Sequence, residues 1–426
     1  MPLVRLRTRR RAFTPDFTIP PGPGGVRLSL SDLERQVVES ITPDEVVSLA
    51  ARLVQTKSYA EDEWRIAAVL REALAASGLE VTSTDVRPGR PNLVATLGAG
   101  GAKGPRLVYC GHMDSVPAGD ASTWTVDPFG GLVRDGKLYG RGASDDKGGL
   151  AGMAVAACAL NRAGVKLGGS LILAAVCGEV QGNIGARALA ADGLSADFGV
   201  VAEYSFADRV ATCYRGALWG EVVVKGRSAH TGRPEQGVDA IKAAAEAVVP
   251  MLLRVGGEGP PHPLMPQAIL GVNMIKGGTA PNMIADRCEL TIDARFPPPT
   301  RVSDVEGRIT AGLRECEGVY PGLDCKFRRL HAVEGFEVPE DHPAVSLLRS
   351  SVGDVTGSTE VPVIGKAGFS DANVFVREIG FPAVAYGPGN STGVGPDEWV
   401  PVEALVTAAR VYALFALRFL SSRAGA

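Results

Sequence analysis

Three apolar stretches of the chain each end in a residue that can bind a metal ion or a proton. This pattern is the sequence feature that most constrains the fold. They are residues 107–112, 170–179 and 198–203, which end in His112, Glu179 and Glu203. Unbroken short apolar runs are typical of strands covered on both faces. Helical patterns separate them, so the sequence predicts a mostly parallel sheet, whose strands open at their carboxyl ends into a ligand crevice. We expect the three polar residues at that edge.

Two segments near this edge carry residues suited to a metal ion. His112 and Asp114 are two positions apart, and alternate residues of an extended chain face the same side, so Asp114 can orient the His112 ring. A glycine-rich loop at residues 140–149 presents Asp145 and Asp146 just before an apolar helical pattern. An imidazole and a carboxylate held on two such segments suit zinc or a similar divalent ion. An N-cap role for either aspartate is the alternative.

The sequence pattern changes between residues 209 and 331, where alternating strands surround helical segments. This pattern predicts a smaller α+β domain inserted into the α/β domain that carries the mostly parallel sheet. A chain of 426 residues is also longer than the chains that usually fold around a single hydrophobic core. We therefore expect a flexible tail at residues 1–30, a catalytic domain formed by residues 31–208 and 332–426, and the insertion at residues 209–331.

Composition excludes several classes of partner. A net charge of −3, without a domain-sized basic stripe, argues against nucleic-acid binding. No apolar run is expected to reach the roughly 18 residues that a membrane span needs. The seven cysteines are scattered singly and form no Cys-x-x-Cys pair, which favours reduced core residues over a disulfide framework. The sequence therefore predicts a cytoplasmic protein with no membrane partner.

Short motifs follow one another in a set order from about residue 45 to the end of the chain. They are Gly-His-Met-Asp at 111–114, Gly-Arg-Gly-Ala-Ser-Asp-Asp-Lys-Gly at 140–148, Gly-Arg-Ser-Ala-His at 226–230, Gly-Gly-Thr-Ala-Pro-Asn at 277–282, Asp-Ala-Arg at 293–295 and Pro-Asp-Glu-Trp-Val at 396–400. In these motifs the chain resembles the metallopeptidase superfamily of aminoacylase, acetylornithine deacetylase, succinyl-diaminopimelate desuccinylase and glutamate-releasing carboxypeptidase.

The resemblance implies a zinc-containing catalytic domain, an inserted lid domain that forms a homodimer, and hydrolysis of an N-acyl or peptide bond beside a carboxylate. By matched position, the metal ligands are His112, Asp145 and Glu203, with Asp145 as the bridge to a second metal. Asp114 orients His112. Glu179 is the general base that takes a proton from the attacking water.

The lid domain carries the remaining functional residues that the resemblance implies. His230 reaches the neighbouring subunit's site and stabilises the oxyanion. Asn282 and Arg295 hold the carboxylate of a small-molecule substrate, Arg295 through its bidentate fork.

The chain departs from its relatives at the second metal. Relatives carry a Glu-Glu pair, base then ligand, where this chain has Gly178-Glu179-Val180. Alignment on the following glycines places Glu179 at the position of the base and Val180 at the position of the ligand. A one-residue shift instead places Glu179 at the ligand position and Gly178 at the base position. Val394 also stands where relatives have a histidine, four residues before Glu398. Isopropyl groups do not coordinate cations, so we expect one divalent metal per chain, zinc, held by the three ligands named above.

Three functions follow from this altered site. The first is a metal-dependent amidohydrolase that acts on an N-acyl amino acid or a related small carboxylate. The second is a repurposed biosynthetic enzyme that uses Glu179 as the base for an elimination, cyclisation or amide exchange, because a valine-lined pocket excludes water. The third is a non-catalytic relative that keeps the fold and binds a ligand.

Overall fold

The computed structural model describes residues 30–59, 61–98, 104–390 and 395–421. The predicted N-terminal tail therefore lies outside the described residues, except for Leu30. Sixteen strands are described. In chain order they are β1 Val81–Arg87, β2 Arg90–Gly98, β3 Arg106–His112, β4 Leu132–Arg134, β5 Lys137–Tyr139, β6 Ser170–Val176, β7 Phe198–Val201, β8 Val210–Tyr214, β9 Gly216–Lys225, β10 Ile269–Gly277, β11 Arg287–Phe296, β12 Asp324–Val333, β13 Phe336–Glu337, β14 Val363–Lys366, β15 Ala383–Ala385 and β16 Trp399–Pro401.

The described part of the chain also contains eleven α-helices. In chain order they are α1 Asp32–Ser40, α2 Pro43–Gln55, α3 Glu63–Ala76, α4 Lys147–Arg162, α5 Ile184–Ala191, α6 Ala240–Ala243, α7 Val249–Gly256, α8 Val302–Val319, α9 Pro343–Thr356, α10 Asp371–Val374 and α11 Val402–Ser421. A π-helical segment, Ala244–Val248, joins α6 to α7.

A 9-stranded sheet carries the residues that the sequence places at one edge. Its order is β1-β2-β6-β3-β7-β15-β8-β13, and β14 also pairs with β8. The central strands β6, β3, β7 and β15 are parallel to one another, whereas β1, β2, β8 and β13 add antiparallel pairs at the sides. All residues of β6 and β7 are buried, as the unbroken apolar runs predict. The predicted α/β fold with a mostly parallel centre is confirmed.

Helices α4 and α11 pack together over this sheet and join one hydrophobic core. The phenol of Tyr109, on β3, donates a hydrogen bond to the carbonyl of Tyr412, on α11, at 2.5 Å. At the start of α4, a Cβ on Gly149 would lie 2.4 Å from the carbonyl oxygen of Ala202. Only glycine allows this approach, which brings the first turn of α4 against the chain beside Glu203.

Helix α11 bears on one expectation from composition. It contains a window of mean hydropathy 1.5 and is, by length and composition, apolar enough to cross a membrane, although Glu403, Arg410 and Arg418 interrupt its apolar residues. However, 67% of that window is buried inside the protein. Burial against α4 identifies α11 as a core helix. All seven cysteines are free, in keeping with the expected absence of a disulfide framework.

A second sheet, of four strands in the order β10-β11-β9-β12, has its own core under α7 and α8. It is formed by residues 216–333, called the insert below. The sequence places this region at 209–331, but Val210–Tyr214 pair with β14 and β15 in the large sheet, and β12 continues to Val333. The chain therefore changes sheets a few residues later than predicted. The assignment of the insert as a separate lid domain stays a prediction.

Candidate metal centre

The structure brings together the three residues predicted as metal ligands. His112 ends β3, Glu203 follows the neighbouring parallel strand β7, and Asp145 lies in the glycine-rich loop before α4. One ligand atom from each side chain lies within 4.8 Å of those of the other two. His112 Nε2 is 3.2 Å from Asp145 Oδ1. The carboxyl edge of the parallel strands thus positions one imidazole and two carboxylates around a common point.

The His112 ring is held in the tautomer that a metal ligand needs. Its Nδ1 lies 2.9 Å from the main-chain carbonyl oxygen of Asp114 and 3.7 Å from the Asp114 carboxylate. The N–H at Nδ1 therefore donates to the carbonyl, and Nε2 is the nitrogen that faces Asp145 and is free for a metal ion once it has lost its proton. Burial by itself lowers the pKa of His112, but the hydrogen bonds with Asp114 and Asp145 outweigh burial and raise that pKa well above its ordinary value.

The carboxylate of Asp114 has a second set of partners. It accepts hydrogen bonds from the main-chain N–H groups of Glu179 and Val180, both at 3.1 Å. Asp114 therefore connects the strand of His112 to the loop of the predicted base. Gly178 begins this loop at φ +65°, a left-handed conformation in which a Cβ would meet Ile184 at 2.4 Å. The backbone explains why a glycine precedes Glu179.

Glu179 lies in the electrostatic field of the candidate ligands, and the neighbouring Val180 side chain is 37% exposed. Burial raises the pKa of Glu179 well above its ordinary value, and the carboxylates of Glu203, Asp371 and Asp145 raise it further. Glu179 is not among the residues whose ligand atoms cluster with those of His112. Its assignment as the base stays a prediction. Val394, at the other position expected to bind a second metal, lies outside the described residues.

Glu398 has a function in the site that the sequence reasoning missed. Its buried carboxylate accepts hydrogen bonds from the N–H groups of Gly142 and Ser144 at 2.9 Å and of Asp145 at 3.2 Å. It also pairs with the Arg141 guanidinium at 2.7 Å. One side chain therefore fixes the loop that presents Asp145. The motif at residues 396–400 is the only sequence signal for this residue.

The candidate centre carries an excess of buried negative charge. Burial and the Asp145 carboxylate raise the pKa of Glu203 to about 8. A divalent cation between the ligands would relieve this repulsion. Imidazole nitrogens and carboxylate oxygens both bind zinc, and three protein ligands with an open fourth position are typical of its catalytic sites. The residues present therefore fit a zinc ion.

A second group of possible ligands in the described chain, Cys213, His262 and Glu337, fits a metal less well. His262 Nδ1 accepts a hydrogen bond from the Leu264 N–H at 3.2 Å, so the ring proton is on Nε2. That proton faces the Glu337 carboxylate at 3.4 Å. A metal-bound imidazole has the opposite arrangement, in which the second nitrogen donates. His112 meets this requirement and His262 does not.

Three histidines outside the sequence motifs have packing contacts in the structure. The side chain of His262 is almost fully buried beside β13. The ring of His342 stacks on Phe198 with centroids 5.4 Å apart. The ring of His331, on β12, lies 4.9 Å from that of Trp219. Their loop and proline-rich surroundings in the sequence gave no sign of these contacts.

The three functional residues predicted for the lid lie in the insert and outside this cluster of acids. His230 and Asn282 are exposed, and the N–H of Thr231 donates to the Asn282 carbonyl at 3.1 Å, which places them side by side. The Arg295 guanidinium donates two hydrogen bonds to Asp293, at 2.8 and 3.0 Å. A substrate carboxylate that bound the Arg295 guanidinium through two hydrogen bonds would compete with Asp293 for the same N–H groups.

Comparison with known proteins agrees with the family that the sequence motifs resemble. The model of peptidase family M20/M25/M40 matches residues 108–418. An acetylornithine deacetylase from Proteus mirabilis is 30% identical over 297 residues, 67% of this chain and 74% of the relative. A succinyl-diaminopimelate desuccinylase from Xanthomonas oryzae pv. oryzae is 31% identical over 388 residues, 88% of this chain and 99% of the relative.

Solved structures share the fold. Aminopeptidase PepT from Bacillus cereus is 23% identical and superposes with a TM-score of 0.75, covering 89% of this chain and 99% of its own. The YXEP protein of Bacillus subtilis, described as a dinuclear metal binding peptidase from the M20 family, has a TM-score of 0.70 at 17% identity, covering 89% of this chain and 98% of its own. The chain belongs to the M20/M25/M40 peptidase family and is a metal-dependent hydrolytic enzyme.

Proposed function

We propose that this enzyme hydrolyses the amide bond of an N-acylated amino acid, or of a related small carboxylate, with one zinc ion per chain. The observation that carries the proposal is the convergence of His112, Asp145 and Glu203 on one point, with Nε2 of His112 facing Asp145. The relatives named above as a deacetylase and a desuccinylase act on N-acylated compounds, which supports this substrate class.

The proposed metal count rests on the residues that replace the second metal's ligands. Valine stands at 180 and at 394, and a hydrocarbon side chain offers no lone pair to a cation. When bound, a zinc ion with three protein ligands polarises the scissile carbonyl and makes a water molecule acidic near neutral pH.

The chain's own residues supply the proton transfers. Glu179 accepts a proton from the attacking water and delivers it to the departing amide nitrogen. Its burial and its neighbouring carboxylates raise its pKa. A raised pKa suits a carboxylate that must first accept a proton and then donate it. Asp114 keeps Glu179 at a fixed distance from His112 through its contacts with both segments.

We assign substrate recognition to the insert. Asn282 and Arg295 bind the substrate carboxylate, and His230 stabilises the developing negative oxygen in the site of a neighbouring subunit. Strand β10 forms an edge of the insert's sheet with large apolar side chains exposed to 57% at Ile269, 67% at Met274 and 62% at Ile275. Such an edge supports a homodimer formed through the insert.

Non-hydrolytic chemistry is the second candidate, and the replacement of the second metal's ligands by valines favours it. In this case Glu179 removes a proton from a carbon or nitrogen atom of the substrate. The reaction is then an elimination, a cyclisation or an amide exchange. The two candidates differ in the fate of water, because only hydrolysis transfers an oxygen atom from solvent to the product.

The experiment combines metal counting with product analysis. The purified chain is analysed for zinc and assayed against a panel of N-acetyl and N-succinyl amino acids in heavy-oxygen water. We expect one zinc per chain, activity that a chelator removes and zinc restores, and one heavy oxygen in the released acid. Two zinc ions per chain, or turnover that a chelator does not affect, would contradict the proposal. A product without the label would favour the second candidate.

A further inference from the structure

A buried lysine lies beside the candidate metal centre. Lys366 ends β14 and is only 8% exposed. Its ammonium group donates a hydrogen bond to the main-chain carbonyl of Tyr204 and lies 3.1 Å from the centroid of the Tyr204 ring. Tyr204 directly follows the ligand Glu203. The structure therefore fixes a cation one residue away from a proposed metal ligand.

The surroundings of Lys366 are acidic. Burial lowers its pKa to about 8, and the carboxylates of Glu203 and Asp145 act in the opposite direction and favour the charged form. Burial of a lysine is costly unless opposite charges or hydrogen bonds compensate. The Tyr204 carbonyl and ring, with the two acidic ligands, provide that compensation.

Loss of the second metal changes the charge of the site. A second divalent ion and its glutamate ligand together carry one positive charge. Replacement of that glutamate by Val180 and loss of the ion leave the centre one positive charge short. One protonated lysine supplies the same charge. This argument rests on the proposed one-zinc function.

We propose that the Lys366 ammonium, seated on the Tyr204 ring, is a fixed monovalent cation that replaces the charge of the second metal. It acts through its electric field on the zinc ligands and on an anionic substrate, so it is a positioning residue. It keeps the one-zinc centre from becoming too negative for a substrate that carries a carboxylate and develops an oxyanion.

The experiment measures zinc affinity with the metal alone. Zinc dissociation constants are determined by competition with a chromophoric chelator for the wild-type chain and for Lys366→Met, Lys366→Gln and Lys366→Arg. Removal of a nearby positive charge strengthens cation binding, so we expect the Met and Gln variants to bind zinc about tenfold more tightly. Lys366→Arg keeps the charge and should match the wild type. The KM for an N-acyl amino acid should rise in the two neutral variants.

Lys366→Gln separates charge from hydrogen bonding, because it keeps an N–H donor for the Tyr204 carbonyl without the charge. Lys326→Met is the control, since Lys326 is exposed and pairs with Asp324 in the insert. Melting curves verify that each variant folds. Unchanged zinc affinity in the Gln variant, with one zinc per wild-type chain, overturns the role of Lys366 alone. Two zinc ions per wild-type chain would instead overturn the proposed function and remove the premise of this inference.

Discussion

The carboxylate of Asp114 accepts a hydrogen bond from the main-chain N–H of Glu179 at 3.1 Å. The main-chain carbonyl of the same aspartate receives the His112 Nδ1–H at 2.9 Å. One residue therefore positions both a proposed zinc ligand and the proposed base.

Asp114→Asn should weaken this connection. The amide retains one oxygen for the Glu179 N–H but turns its NH2 toward the Val180 N–H, where no bond can form. We expect kcat/KM to fall roughly 10- to 100-fold, as for other residues that orient metal ligands. Steady-state kinetics measure the change. Asp192→Asn, at an exposed aspartate after α5, is the matched control, and equal rates in the two variants would contradict the positioning role.

Glu179→Gln tests the base and the sequence register together. A glutamine cannot accept the proton of water, so turnover should fall by roughly 10²- to 10⁴-fold. Zinc content should remain at one per chain, whereas His112→Ala should lose the metal. Elemental analysis and kinetics are performed on the same preparations. If the glutamine variant loses its zinc instead, Glu179 is a ligand, and the shifted register with Gly178 at the base position is correct.

Glu398→Gln should disturb the loop that presents Asp145. The substitution removes the charge that pairs with buried Arg141. It also places the glutamine NH2 group against main-chain N–H donors of the loop, such as that of Gly142. Breaking a buried, hydrogen-bonded ion pair costs about 3 kcal/mol of unfolding free energy. Zinc affinity should fall as well, because Asp145 loses its support. Denaturant unfolding measures the first effect and zinc titration the second, with the exposed Glu360→Gln as the control.

Zinc should stabilise the protein more at pH 8 than at pH 6. The pKa of Glu203 in the metal-free fold is raised to about 8 from its ordinary 4.5. Its protonation therefore stabilises the metal-free fold below pH 4.5, and that contribution is lost as the pH rises through 8. Zinc needs ionised Glu203 and neutral His112, so its binding improves over the same range. Melting temperatures with zinc and with chelator give the difference, and an equal difference at both pH values would contradict this assignment.

The proposed homodimer predicts complementation between inactive chains. His230→Ala and Glu179→Gln should each be inactive alone. In a mixed dimer, one site keeps Glu179 and receives His230 from the other chain. Random pairing on co-expression should restore about a quarter of wild-type activity, since half of the dimers are mixed and one site in each is intact.

Two surface variants complete the dimer test. Ile275→Lys, on the exposed apolar edge β10, should give monomers and lose activity. Leu330→Lys, at a similarly exposed position on the opposite edge strand β12, should remain dimeric. Sedimentation gives the mass of each. Failure of complementation in dimers of normal mass would remove His230 from the neighbouring site.

The residue pattern alone determined the α/β fold with its parallel centre. Apolar runs without alternation mark strands covered on both faces, and helical patterns between them impose crossover connections. These signals are local, so they are readable within short windows of sequence. The same reasoning predicted His112, Glu179 and Glu203 at one edge of the sheet, because the carboxyl ends of parallel strands meet there. The ligand set of His112, Asp145 and Glu203 came from the resemblance to a known family.

Only the tertiary structure decided how these side chains are held. The carboxylate of Glu398 meets the N–H of Asp145 across 253 residues of sequence, and the ammonium of Lys366 meets the Tyr204 carbonyl across 162. It also placed the His112 Nδ1 2.9 Å from the Asp114 carbonyl oxygen, nearer than the Asp114 carboxylate at 3.7 Å. Such contacts depend on which strands pair and how closely helices pack, and no local periodicity encodes them. Residue types and spacing set the chemistry available to the centre, whereas packing set its geometry and charge.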